Sequence, residues 1–457
     1  MITTLVATLV LAAVAAELPD GSTALHRAAE LDDVKTAASL LKASPAAAKA
    51  ANRYGVTPLT LACINGSKAM VDLLLAAGAD PNTALPGGET ALMTAARTGR
   101  LGAVQSLLAA GAKVDARESV SGQTALMWAA AEGNVEVADA LIGAGADVRT
   151  RLDSGYDAFL FAVREGQIPV VKRLLKAGVS PNDKIELPEG KRPKNGKAPR
   201  AGVSALILAV TNAHYELASV LLDAGADPNS ADAGYTALHT ITHTRKPGGG
   251  DNDPPPQGSG SMTSVDFVRK MAQKGANLNT RMTKKIGFGM TSLNTMGATP
   301  YMLASKTADA ELMRLLVSLG ADPKIPNVDG STPLMAVAGL GTRSPGEDAG
   351  TEEEVLQALQ VALEHGADIN AVDNNGETAM HGAAYKNYPA AVEFLAAHGA
   401  KHEVWNRKNK FGWTPLSIAE GYRFGNFKPS AVTVAAFHRI MTALGLSIAS
   451  DPTATNR

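Results

Sequence analysis

Few residues in this sequence have the types and spacing needed for catalysis or metal binding. His239 and His243 stand four positions apart, so on a helix both imidazoles would lie on one face, where they could share a metal ion. Residue 240 is Thr, whereas zinc-protease helices carry a Glu directly after the first histidine. The single cysteine, Cys63, excludes an intrachain disulfide and a zinc site built from several cysteines. We therefore predict no metal site, no cofactor and no enzymatic activity.

One glycine-lysine segment has a superficial likeness to a phosphate-binding loop. Gly190 and the pair Gly196-Lys197 are separated by five residues instead of four, and Ala198 replaces the expected Ser or Thr. No apolar strand precedes the segment. A hydrolase that draws its residues from long insertions stays open as an alternative, although no nucleophile motif supports it.

An internal repeat dominates the sequence. A Gly-x-Thr-(Pro/Ala)-Leu phrase occurs eleven times, with most copies about 33 residues apart. The third position of the phrase falls at Thr23, Thr57, Thr90, Thr124, Asp157, Ser204, Thr236, Thr299, Thr332, Thr378 and Thr414. Thr, Ser and Asp are all good helix N-caps, the preceding glycine suits a turn with positive φ, and Ala or Pro suits the first helical position. Each phrase therefore predicts a turn that leads into a helix.

A second amphipathic segment follows in each unit and ends at a glycine, as in Met70–Ala76 before Gly78. Each unit thus reads as turn, helix, loop, helix and hairpin. The phrases Thr23-Ala24-Leu25-His26 and Gly225-Ala226-Asp227-Pro228-Asn229 resemble the ankyrin repeat. The resemblance implies an all-α solenoid of about eleven helix-turn-helix repeats with projecting hairpins. It also implies a protein-binding scaffold without a shared catalytic activity.

The repeat pattern divides the chain into three parts. Residues 1–16 are apolar, contain no charged side chain after Met1 and lie outside the pattern, so we predict a signal peptide. Residues 17–446 form the predicted solenoid, and residues 447–457 form a predicted disordered tail. A buried N-terminal helix is the alternative for the first segment, because that segment lacks the usual Lys or Arg.

Five segments exceed the length of the repeat unit. Segments 183–200 and 280–296 lengthen the hairpins that precede repeats 6 and 8, and both are basic. Segments 244–262, 339–354 and 421–430 fall between the two helices of a repeat. Solenoid repeats contact only their neighbours, so insertions of this kind leave the core intact.

The candidate binding residues follow from the resemblance, which implies that certain repeat positions point toward a concave face. They are Tyr54, Arg97, Tyr156, Arg164, Glu165, Tyr235, His243, Lys306, Tyr385, Lys386 and Trp413. To these we add the basic hairpin residues Lys191, Arg192, Lys194, Lys284 and Lys285. Aromatic and Arg side chains often anchor protein interfaces, although single exposed aromatic residues can also be without function.

The formal net charge is −1, which gives no overall field that would favour nucleic acid or an anionic membrane. We therefore predict an exported bacterial scaffold, periplasmic or secreted and monomeric, without a membrane span. Its expected ligand is a protein with an acidic contact surface, which docks near the basic hairpins. A cell-envelope carbohydrate-binding module is the alternative, because exposed aromatic side chains also stack on sugars.

Overall fold

The computed structural model of the chain describes residues 19–188, 201–247, 256–287, 291–346, 348–423 and 428–449. The predicted signal peptide 1–16 lies outside the described residues, as do residues 450–457 of the predicted tail. Within these ranges there are 23 α-helices and one short 3-10 helix, with two isolated β-bridges and no longer strand. The described chain is therefore all-α, as the repeat pattern predicts. No helix in these ranges is long and apolar enough to span a bilayer.

The first of two compact units, residues 1–201, contains repeats 1 to 5. Its helices come in pairs, one pair for each repeat. They are α1 Ala24–Glu30, α2 Val34–Ala43, α3 Pro58–Asn65, α4 Lys68–Ala76, α5 Ala91–Arg97, α6 Leu101–Ala109, α7 Ala125–Glu132, α8 Val135–Gly143, α9 Ala158–Arg164 and α10 Ile168–Lys176. The 3-10 helix Pro45–Lys49 follows α2, where the first repeat lacks the usual closing glycine.

The second unit, residues 202–457, contains repeats 6 to 11. It has six helix pairs and one additional short helix, α21. The helices are α11 Ala205–Thr211, α12 Tyr215–Asp223, α13 Ala237–Arg245, α14 Ser264–Gln273, α15 Pro300–Lys306, α16 Ala310–Ser318, α17 Pro333–Ala338, α18 Glu352–Glu364, α19 Ala379–Lys386, α20 Pro389–Ala397, α21 His402–Trp405, α22 Pro415–Ala419 and α23 Ala431–Ala443.

The eleven motif positions form the turns and caps that their residue types predict. All eleven glycines that begin the phrase have positive φ, from 75° to 99°. Asp157, Ser204 and Thr299, for example, each accept a hydrogen bond from the backbone N–H three residues later. In three repeats a histidine completes the cap: Nδ1 of His239 accepts from the Thr236 N–H at 3.1 Å. Nε2 of the same ring contacts the Ala298 carbonyl oxygen of the next repeat at 3.2 Å.

Stacking of equivalent helices builds the core of each unit. The first helix of a repeat packs against the first helix of the next repeat, as α1 packs against α3 and α11 against α13. The second helices stack in the same way. The small residue in the middle of the first helix, such as Ala129 of α7, has no exposed surface. Alanine at that position lets adjacent helices approach closely, because a longer side chain would overpack the stack.

Candidate binding surfaces

Three of the predicted binding residues of the first unit are at least partly exposed. Tyr54, in the turn of repeat 2, is 67% exposed. The side chains of Arg97 and Arg164 are 48% and 41% exposed at the C-terminal ends of α5 and α9. These three residues therefore lie where a partner can reach them.

Arg97 lies over an aromatic ring of the following repeat. Its guanidinium carbon is 4.8 Å from the ring centroid of Trp128, which is half-buried on α7. One guanidinium nitrogen also lies 3.4 Å from Oε1 of Glu89. Trp128 in turn donates its indole N–H to Gln123 at 2.9 Å. These contacts hold the guanidinium in place while leaving about half of its side chain open to solvent.

Arg164, two repeats further along, also lies over aromatic rings, but these rings belong to its own repeat. Its guanidinium carbon lies 4.9 Å from the Phe161 ring centroid and 5.5 Å from that of Tyr156. Nε donates to Glu165 at 2.7 Å. Phe161 precedes Arg164 by three residues on α9, so the two side chains share one helix face.

An open cleft of about 640 Å³ lies beside Arg164, between the turns of repeats 4 and 5. Phe161 and Leu152 form its apolar wall, and Arg117 lies with Arg164 along its lining. Val120 at its rim is 84% exposed. The cleft therefore offers apolar surface next to two cationic side chains.

Six residues predicted to face a partner are instead buried. They are Tyr156, Tyr235, Lys306, Tyr385, Lys386 and Trp413, with exposed fractions from 0% to 9%. In the turn of repeat 7, the hairpin that begins near residue 280 covers Tyr235, since the Thr283 N–H donates to the Gly234 carbonyl at 3.0 Å. Trp413 packs against Phe411 at 5.4 Å between ring centroids. The prediction that these side chains are exposed was wrong, because it did not account for neighbouring turns and insertions.

The insertion of repeat 9 explains the burial of the two lysines. Residues 339–346 and 348–351, the covering loop, pack over the C-terminal ends of α15 and α19. Nζ of Lys306 lies 2.5 Å from Oδ2 of Asp348, and Nζ of Lys386 donates to the Ala349 carbonyl at 2.6 Å. Arg423 donates to the Thr342 carbonyl at 3.2 Å.

Burial and neighbouring charges shift the pKa values of Lys386 and Asp348. Burial and the neighbouring Lys306 ammonium lower the pKa of Lys386 to about 7. Burial opposes ionisation of Asp348, but Lys306 and Lys386 outweigh it and hold the pKa of that carboxyl below its usual value. The covering loop is thus held by one largely buried ion pair, Lys306–Asp348, and by the hydrogen bond from Lys386.

The two histidines with metal-ligand spacing are not arranged as a metal site. His239 is fully buried, and both ring nitrogens contact protein atoms: Nδ1 those of Thr236, Nε2 the Ala298 carbonyl. His243 is half-buried one turn later. Among the described residues, no group of three or more His, Cys, Asp or Glu side chains is placed to hold a metal ion. Cys63 is buried, which raises the pKa of its thiol to about 12.

The basic hairpins are only partly within the described chain. Lys191, Arg192 and Lys194 lie outside the described residues. Lys284 and Lys285 are exposed, and Nζ of Lys284 donates to the Asp232 carbonyl at 3.0 Å. The role of these lysines in binding stays a prediction.

Reasoning from the repeat missed the aromatic partners of the two arginines. Trp128 and Phe161 each lie four residues after the motif cap, one helical turn from the positions that the resemblance singled out. The i, i+3 relation of Phe161 to Arg164 was a signal available in the sequence. The pairing of Arg97 with Trp128 was not, because it joins two repeats.

Comparison with known families agrees with this architecture. The profile described as "Ankyrin repeats (3 copies)" matches residues 3–85, 92–185 and 159–246, about half of the chain. Two further ankyrin profiles match residues 296–328 and 363–419. The chain belongs to the ankyrin-repeat family.

Curated ankyrin relatives share only part of their length with this chain. The B-cell lymphoma 3 protein homolog of Mus musculus is 31% identical over 48% of this chain and 40% of its own length. The neurogenic locus notch homolog protein 1 of Xenopus tropicalis is 34% identical over 27% of this chain and 6% of its own. A Dasypus novemcinctus protein named for ankyrin, SAM and basic leucine zipper domains is 29% identical over 25% of this chain and 22% of its own length. This chain therefore spans less than half of each of these relatives.

Ankyrin repeats indicate a protein–protein interaction scaffold, and the ankyrin family is generally non-enzymatic. In this ankyrin chain the aromatic residues that motivated the carbohydrate alternative are mostly buried. Tyr54, Trp128 and Phe411 are the aromatic side chains with open surface among those discussed. Most of the aromatic side chains that were expected to stack on a sugar are therefore not accessible to one.

Proposed function

We propose that this ankyrin protein is an exported scaffold that binds a partner protein through its first unit. The observation that carries the proposal is that two guanidinium groups, of Arg97 and Arg164, each lie against aromatic rings at partly exposed positions. Arginine and large aromatic residues carry much of the energy of protein interfaces. The open cleft beside Arg164 supplies adjacent apolar surface.

The partner's contact surface is proposed to be acidic. A guanidinium held by stacking loses little conformational entropy when it binds a carboxylate, and it can do so through two parallel hydrogen bonds. The Glu89 contact to Arg97, at 3.4 Å, uses one guanidinium nitrogen. A carboxylate from a partner can therefore bind the remaining N–H groups of Arg97.

The test begins with affinity capture and continues with the purified partner. We expect Arg97→Ala and Arg164→Ala to weaken binding of the captured protein at least about tenfold each, since charge-assisted hydrogen bonds contribute about 1.5–3 kcal/mol. Arg314→Ala is the matched control, because Arg314 is an exposed arginine on α16 of the second unit. A partner whose affinity is unchanged by both substitutions binds elsewhere, and the proposed surface is then wrong.

Export is proposed from the composition of residues 1–16. Signal peptidase prefers small residues, and Ala13, Ala15 and Ala16 provide them before Glu17. Intact-mass measurement of the natively expressed protein is expected to give a chain that starts near Ala16 or Glu17. A mass that retains Met1 contradicts export by cleavage of this segment.

A further inference from the structure

A small cavity lies within the second unit, whereas the surface proposed above belongs to the first. Its volume is about 180 Å³, and its walls come from the turns of repeats 9 to 11, the covering loop and the hairpin segment 292–294. The side chains that matter for its chemistry are Asp329, Ser331, Thr342, Glu377 and Tyr385. A cavity of this size suits one small chemical group rather than a drug-sized ligand.

The hydroxyl groups in the walls already donate their protons to the protein. Tyr385 donates to Oε1 of Glu377 at 2.8 Å, and Ser331 donates to Asp373 at 2.8 Å. Thr342 donates to Asp348, and Ser292 donates to the Gly341 carbonyl at 3.0 Å. Each hydroxyl therefore has only lone pairs left to offer a ligand.

The two carboxylates add further acceptors. Glu377 is 6% exposed, and its Oε1 accepts from Tyr385 and, at 2.9 Å, from Asn409. Among the described residues, no donor reaches Oε2 of Glu377 or the carboxylate of the half-exposed Asp329. Both carboxylates line the cavity, and together with the hydroxyl lone pairs they present hydrogen-bond acceptors to it, so the cavity is suited to a ligand that brings N–H groups.

The other side chains around the cavity are compatible with such a ligand. Leu293, Leu340 and the half-exposed Phe411 supply apolar and aromatic wall. Asn294 and Asn375 are the lining side chains that carry N–H groups. Lys410 at the rim donates to Oδ1 of Asn375 and lies 5.2 Å from the Phe411 ring centroid. The Lys410 ammonium therefore donates its hydrogen bond to an amide, and it acts on Glu377 only through its charge.

We propose that this cavity binds a primary ammonium group on a short aliphatic chain. The ammonium donates to Glu377 and Asp329, and the methylene groups pack against Leu293, Leu340 and Phe411. A free alkylamine and a lysine side chain of another protein have this chemistry in common. Because the cavity lies in the second unit, the proposal does not depend on the partner of the first.

The pKa of Glu377 makes this carboxyl responsive to a cation bound beside it. Burial raises the pKa of this carboxyl to about 7, and the nearby Asp373 carboxylate adds to the effect, whereas Tyr385, Asn409 and Lys410 oppose it. An ammonium bound next to Glu377 favours its ionised form. Ligand binding near neutral pH is therefore expected to release protons.

The test uses n-butylammonium chloride as the first probe and the tripeptide acetyl-Gly-Lys-Gly-amide as the second, with ligand-observed NMR titration of the full chain. Tetramethylammonium, which is cationic but has no N–H donor, is the probe control. We expect Glu377→Gln, which keeps an acceptor for Tyr385, to weaken binding of the effective probe at least tenfold. Asp329→Asn should weaken it as well, and this half-exposed side chain makes no hydrogen bond that folding requires.

Glu353→Gln is the matched protein control, because Glu353 is an exposed carboxylate on α18 of the same unit. Binding of butylammonium supports a free amine, and binding of the lysine peptide alone supports a protein lysine. The proposal is overturned if neither probe binds or if tetramethylammonium binds as tightly. It is also overturned if both cavity variants bind like the Glu353→Gln protein.

Discussion

A guanidinium nitrogen of Arg151 lies 3.4 Å from a carboxylate oxygen of Asp157, at a cap position where the ten other repeats carry an uncharged hydroxyl. The same guanidinium contacts Asp183 and donates to the Lys184 carbonyl at 2.6 Å. Repeat 5 thus replaces a threonine cap by a buried carboxylate and holds it with an arginine from the preceding hairpin.

Asp157 is expected to make the first unit less stable as the pH rises. Burial raises its pKa to about 7 from an unfolded value of 3.8, and Asp183 adds to this while Arg151 opposes it. Between about pH 4 and 7 the folded state therefore holds a proton that the unfolded state has lost, so the free energy of unfolding falls with rising pH. The substitution Asp157→Thr keeps a helix N-cap and removes this pH-dependent decrease in the free energy of unfolding.

Urea unfolding at pH 4.5, 6 and 8 measures the effect. Relative to the wild type, the Asp157→Thr protein should gain stability from pH 4.5 to 8 by at least on the order of 1 kcal/mol, since one pKa unit corresponds to about 1.4 kcal/mol. Asp139→Asn, at an exposed carboxylate of α8, is the control. If the free energies of unfolding of wild type and Asp157→Thr change with pH in parallel, Arg151 fully offsets the effect of burial on the pKa of Asp157.

Ala129→Leu is expected to destabilise the helix stack. Ala129 is completely buried on α7, so a larger side chain overpacks the contacts with α5 and α9 and costs about 1–3 kcal/mol. Because solenoid repeats interact with their neighbours, hydrogen exchange should accelerate mostly in repeats 3 to 5. Ala110→Leu, at an exposed residue that follows α6, should have little effect. Uniform acceleration across all described repeats would contradict a stack of nearest-neighbour contacts.

His239→Met is expected to change the acid sensitivity of the second unit. Burial lowers the pKa of His239 to about 4, so between pH 6.5 and 4 the unfolded state binds a proton that the folded state does not. Stability from this residue is therefore lost as the pH falls through that window. The chain itself uses methionine at the equivalent position in repeat 3, where Sδ of Met93 accepts from the Thr90 N–H at 3.4 Å.

The variant should lose about 1 kcal/mol at pH 7, because the hydrogen bond to the Ala298 carbonyl disappears. Its stability should fall less steeply than that of the wild type between pH 6.5 and 4.5. Thermal unfolding at four pH values compares the two slopes. Equal slopes would mean that His239 is protonated in the folded protein as readily as in the unfolded one.

Lys306→Met is expected to release the covering loop. Removing this ammonium leaves Asp348 buried without its ion-pair partner, which costs about 3–5 kcal/mol. The double variant Lys306→Met, Asp348→Asn should recover most of that loss, since it removes the carboxylate that the single variant leaves without Lys306. Limited proteolysis followed by mass spectrometry should find new cleavage sites in residues 340–350 of the single variant. A double variant as unstable as the single one would argue that the lysine acts through packing instead of charge.

The sequence by itself determined the repeat, its turns and its caps. The turns before Thr23 and Thr414 need a glycine because their backbone has positive φ, and the cap hydrogen bonds span only three residues. Both features can therefore be predicted from residues that are adjacent in the sequence. The helix pairs and the places of the three insertions within repeats followed for the same reason. These features depend on interactions within one repeat, and the repeat occurs eleven times in the chain.

Only the tertiary structure decided which motif-adjacent side chains are exposed. Tyr385 and Lys386 occupy the same repeat positions as partly exposed residues of the first unit, yet they are buried because the covering loop and Arg423 pack over them. Arg97 meets Trp128, and Asp348 meets Lys306, across separations of 31 and 42 residues. Contacts of that kind depend on where insertions fold back, and a repeat pattern carries no information about the path of the residues that interrupt it.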